Sequence, residues 1–226
     1  MVAMQVRHAE ALMSRHEDSP QPASLGLRAC KGGAVAVGVA AGNDVPRVVL
    51  STFLETHAEG ERLSLEPYRA AFDMVHAADG GSLVDAAEVV ATGRKRQEQL
   101  ATASLQRIVR QMQGAGYRVV IGALLTNRAG WITDLLGYSL AWQEHVAVAE
   151  TLAVREAIRH AFGLCELVLV EQDEKSLPAT AAQAWGMTQA EIDARLKALG
   201  ATVGRPWRKE QKLACLSAWL ATQTQP

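Results

Sequence analysis

Three carboxylates fall within four positions, Glu171, Asp173 and Glu174, immediately behind the apolar run at residues 167–170. Acidic residues gathered at one point suit oxygen ligation of a hard divalent cation such as Mg²⁺ or Mn²⁺. The place is right for a site, since α/β sheets build theirs at the carboxyl ends of strands. A plainer reading is a charged turn leading into a helix, where acids favour the positive end of the helix dipole. Lys175 follows directly and suits either phosphate binding or neutralisation of a neighbour.

Cationic chemistry is offered in three other places. Arg94, Lys95 and Arg96 sit in "GRKRQEQ", either a solvated helix face or a set of phosphate contacts. Arg205, Arg208, Lys209 and Lys212 surround Trp207, whose indole either stacks on a base or packs on the core. Arg128, just past an apolar run, is the preferred single candidate for an anionic ligand. No glycine-rich phosphate loop or nucleophile elbow is present. The three cysteines are far apart and lack CxxC spacing, which argues for reduced thiols rather than a disulfide frame or a zinc site.

The bulk numbers set bounds on these readings. A chain of 226 residues suits one domain, and 49% hydrophobic with 21% charged residues is ordinary for a folded protein. Its net charge of −1 argues against a uniformly basic nucleic-acid binder and leaves any such role to local patches. No apolar run approaches the ~18–20 residues of a membrane span. With no apolar leader at its start, the chain is expected to be cytoplasmic.

The elements that must position these residues follow from periodicity. Residues 1–28, with Pro20 and Pro22, read as a flexible N-terminal segment, and residues 29–222 as a single domain. "AVAVGVAAGNDVPRVVLSTFLET" reads as two strands around a tight turn, and "ERLSLEP" as a third strand closed by Pro67. "SLVDAAEVVATGRKRQEQLATASLQRIVRQMQ" is helical with Ser82 as N-cap and a candidate break at Gly93. "YRVVIGALLT" is a buried strand, "VAVAETLAVREAIRHAF" a helix and "LVLV" another strand. The last third is helical, with the capping box Thr188-x-x-Glu191 and Pro206 in a first turn. A three-stranded meander followed by βαβ units predicts an α/β fold: a mixed sheet with helices on both faces, in ribonuclease H-like order.

Over roughly residues 117–221 the chain resembles the RuvC/YqgF-type Holliday-junction resolvase branch of the ribonuclease H-like superfamily. The resemblance lies in Asp173-Glu174-Lys175-Ser176, the alanine-rich "ATAAQAWG", the basic Arg205, Arg208 and Lys209, and "KEQKLACLSAWLA". It implies a divalent metal (Mg²⁺ or Mn²⁺) held by Asp173 and Glu174 with Glu210 as a further catalytic acid, and Lys175 and Arg128 steadying phosphate. It also implies structured DNA or RNA as partner. Two departures weaken the catalytic part. "GGAVAVGVAAG" offers no acid where the resemblance implies a first-strand Asp, and the final-helix Asp is replaced near Gln211, beside Glu210. Glu55 or Glu66 is left as a substitute acid. The expectation is a nucleic-acid-binding protein with weakened or lost nuclease chemistry. The rival is a non-catalytic interaction or assembly protein on the same fold.

Overall fold

The computed structural model describes residues 19–41, 46–127 and 131–223. Strands β1 (Gln21–Cys30), β2 (Gly33–Ala41) and β3 (Pro46–Glu55) form an antiparallel meander. Strands β4 (Tyr117–Thr126) and β5 (Leu169–Asp173) add in parallel on the other side of β1, giving the order β3-β2-β1-β4-β5. This is the α/β, ribonuclease H-like mixed sheet expected from the sequence pattern.

One boundary and one strand differ from expectation. The strand that opens the meander lies inside the segment read as flexible, so the expected boundary at residue 29 falls near the end of β1. Pro22 misled because it sits at the start of the strand, before pairing with β2 begins at Ala23, a place where a missing N–H is tolerated. "ERLSLEP" is not a strand but the short helix α1 (Arg62–Leu65), with Pro67 opening α2 (Pro67–Val75) from its first turn.

Helices cover both faces. On one, α3 (Leu83–Gly114) and α5 (Gln143–Leu164) pack on each other and on the sheet. Leu25, Leu27 and Leu54 meet Leu105, Ile108 and Phe162 there, and each buried side chain stabilises by roughly 1.5–3 kcal/mol. Gly93 does not break α3. It marks a crossing point, where an added Cβ would lie 2.5 Å from the Leu63 carbonyl oxygen of α1. Helix α4 (Leu135–Ala141) packs between α2 and α5, its amides capped by Asp134.

The other face carries α6 (Leu177–Trp185), α7 (Gln189–Val203) and α8 (Lys209–Thr222). Val35, Val37 and Val39 point to it while Ala34, Ala36 and Ala40 point away, so β2 is apolar at every position because it is buried on both sides. Helix α8 lies against β1 closely enough that a Cβ on Gly26 would fall 1.9 Å from the Ala214 carbonyl oxygen. The capping box at Thr188 forms as expected, whereas α8 starts at Lys209, three residues after Pro206. No described helix is long and apolar enough to cross a membrane.

Candidate nucleic-acid interface

The parallel strands β1, β4 and β5 end together, with Arg28 in register with Leu125 and Asp173 with Thr126. Side chains alternate along a strand, so Arg28 projects to the same face as Gly26, towards the start of α8. It meets the acidic turn there. Arg28 Nε and Nη2 donate to the two carboxylate oxygens of Glu174, each at 3.0 Å, in a bidentate pair. Nη1 lies 4.0 Å from Glu210. The bond to Glu174 raises the Arg28 pKa further, against the cost of burial.

A cleft of about 610 Å³ opens beside this pair, lined by Arg28, Arg155, Lys175, Lys209, Glu174 and Asn127 among others. Four cations and the Glu174 carboxylate therefore line the cleft, with Glu210 at 4.0 Å from Arg28. Arg155, on α5, is buried, and its Nη1 donates to Asn127 Oδ1 at 2.8 Å. Burial depresses its pKa first, and nearby Arg159 next, while Glu174 and Glu171 oppose them. Cys30 also lines the cleft, and burial holds its thiol above the usual range.

The acidic turn divides its work. Asp173 Oδ2 accepts from the Ser176 amide at 3.0 Å, tying the end of β5 to the start of α6. Glu171 turns away to Arg159 at 2.6 Å. Of the three acids, Glu174 is the one among the residues lining the cleft, and both its oxygens are engaged by a guanidinium. That donor set does not fit the divalent cation expected on Asp173 and Glu174, because a metal would have to displace, or sit beside, a fixed positive charge. No group of three metal-ligating side chains exists among the described residues. Neither proposed substitute acid reaches the cleft, since Glu55 pairs with Arg107 and Glu66 with Lys31.

The basic candidates are split by the fold. Lys175 and Lys209 line the cleft, whereas Arg205 and Arg208 line a neighbouring hollow of about 620 Å³ with Lys197 and Trp207. Residues at the start of α8 line both, Arg208 the hollow and Lys209 the cleft. Trp207 packs: its Nε1 donates to the Leu196 carbonyl at 2.9 Å and its ring joins the core beneath α7 and α8. Arg94, Lys95 and Arg96 ride on α3, in the opposite helical layer. Arg96 is paired with Glu61, and Lys95 lines a groove facing His160 of α5. Arg128 lies outside the described residues.

Arg28 and Arg155 were missed at the sequence level. Arg28 was hidden by the assignment of residues 1–28 to a flexible segment, although "SLGLRAC" ends an apolar run on a charge. Arg155 carries a subtler signal: it falls three residues before buried Ile158, on an inward arc where an unpaired charge is rare.

No protein-family model matches the chain, and no curated protein is significantly similar to it in sequence. Several solved structures resemble it in shape, two of them RuvC structures. One is Thermus thermophilus RuvC in complex with a Holliday junction substrate, at 9% identity and TM-score 0.48, covering 89% of this chain and 96% of that one. The other is a Thermus thermophilus RuvC structure at 8% identity and TM-score 0.43, covering 89% and 97%. Neither likeness carries the functional reading, which rests on the cleft.

Proposed function

We propose that this protein binds nucleic acid at the carboxyl ends of β1, β4 and β5 and does not cleave it by a divalent-metal route. The stretch "GGAVAVGVAAG", where a first-strand acid is expected, holds the second strand. The observation that carries this reading is Arg28 at the end of β1, which meets Glu174 with a guanidinium rather than a second carboxylate. A carboxylate there would complete a cation site, and a guanidinium completes an anion site instead. Lys175 and Lys209 at the cleft, with Arg205 and Arg208 in the next hollow, extend the positive surface around the start of α8. Trp131 and Trp142 flank α4 and are 70% and 66% exposed, which leaves aromatic surface on which a base can stack.

The test is fluorescence anisotropy with labelled four-way junction, duplex and single-stranded DNA, and with RNA, in EDTA and in Mg²⁺ or Mn²⁺. The reading expects binding in EDTA that weakens with salt, and intact substrate in either metal. Cleavage in Mn²⁺ that Glu174→Gln abolishes would overturn the non-cleaving part. Absence of binding to every nucleic acid would favour the assembly reading on the same fold. That rival draws on a separate feature, a groove of about 860 Å³ between the edge strand β3 and α7, lined by Pro46, Val48 and Leu199.

A further inference from the structure

Arg155 is the charge that the hydrogen bonds around the cleft leave incompletely satisfied. It is 4% exposed, one nitrogen donates to the neutral amide of Asn127, and its buried Nε has no partner among the described residues. A buried guanidinium in that state is costly, and an anion in the cleft that Arg155 lines offsets its charge. Arg28 is held by Glu174 through Nε and Nη2, which leaves Nη1 in a looser ion pair with Glu210 at 4.0 Å. Lys175 and Lys209 are exposed and line the cleft. Helices α6 and α8 both begin here, with Pro178 and Lys209 in their first turns, and helix N-termini favour negative charge. The four cations and the two helix starts therefore ask for the same ligand charge.

We infer that the cleft is a metal-independent phosphate site, in which Arg28 and Arg155 hold one phosphate group and Lys175 and Lys209 close over it. Glu174 is a positioning residue: it fixes the plane of the Arg28 guanidinium. The chemistry recognised is a tetrahedral oxyanion, which inorganic phosphate and a nucleic-acid phosphate both supply. At about 610 Å³ the cleft lies in the size range of small-ligand pockets, so it admits a phosphate together with part of what carries it. Only the assignment of the phosphate to nucleic acid rests on the function proposed above.

The experiment is calorimetry of the full chain with inorganic phosphate, alongside anisotropy with a short single-stranded oligonucleotide. Wild type is compared with a Lys175→Ala/Lys209→Ala double variant, with Arg155→Met, and with Arg118→Ala at the opposite end of β4 as control. Expected is saturable phosphate binding, weakened at least fivefold in the double variant and in Arg155→Met, and unchanged in Arg118→Ala. The double variant alters only exposed side chains, so its unfolding temperature should match wild type and separate a binding defect from a folding defect. Absence of phosphate binding, or binding untouched by the double variant, overturns the site. Phosphate that displaces the oligonucleotide supports the site and assigns it to nucleic acid. Phosphate bound at the cleft by a protein that binds no oligonucleotide supports the site and removes the nucleic-acid reading. Phosphate bound at the cleft, beside oligonucleotide binding that is indifferent to phosphate and to the cleft variants, supports the site and places nucleic acid elsewhere on the protein.

Discussion

Arg28 decides the chemistry of the cleft, and reversing its charge is the sharpest test at the residue scale. Arg28→Asp would face Glu174 and Glu210 with a third carboxylate. Calorimetry with Mn²⁺ should then show saturable binding in the variant and none in wild type. Arg28→Ala should lower unfolding stability by about 1–2 kcal/mol, because the pair is bidentate but a quarter exposed. Glu150 on α5 makes a separate prediction. Its carboxylate accepts from the Arg69 amide at 2.9 Å, capping the start of α2, and burial pushes its pKa up to about 7. A carboxyl whose folded pKa is raised adds stability that is full below about 4.5 and lost as pH rises through about 7. Unfolding stability across pH 4–8 should therefore fall by an amount on the order of 2–3 kcal/mol. Glu150→Gln should flatten that fall.

At the scale of elements, α8 matters most, because it places Glu210 and Lys209 beside strands that it also covers. Its close approach depends on Gly26, where a Cβ would collide with backbone rather than with a movable side chain. Gly26→Ala should cost about 3 kcal/mol, at the upper end for overpacking. Amide hydrogen exchange should accelerate first along α8. Thr188→Ala removes the side-chain half of the α7 capping box and should cost about 1 kcal/mol without touching the cleft. The two changes separate an element that builds the site from one that supports it.

At the scale of the whole molecule, the sheet separates the basic residues into two layers, and salt dependence can read that separation. Removing one cation that neutralises a phosphate lowers the slope of log affinity against log salt by about one. Lys209→Ala and Arg208→Ala should each do so, since they lie beside the cleft and in the adjoining hollow. Lys95→Ala should leave the slope unchanged, since Lys95 rides on α3 across the sheet. An equal effect from Lys95 would mean that nucleic acid wraps both layers.

Strand β2, the long helix around residues 83–114, the capping box at Thr188 and the acidic turn were all legible in the sequence, because each is written in local periodicity, capping or charge. The mixed sheet was expected from an order that counted "ERLSLEP" as a strand and left out β1, two errors that cancelled in the strand count. What the chain order could not show is which residue stands across from Glu174. Arg28 and Glu174 are 146 positions apart, and only the parallel pairing of β1, β4 and β5 and the docking of α8 bring their side chains together. A carboxylate in the sequence reads the same whether a metal or a guanidinium will meet it. Tertiary structure made that choice, because the charge that completes a site arrives from a distant strand.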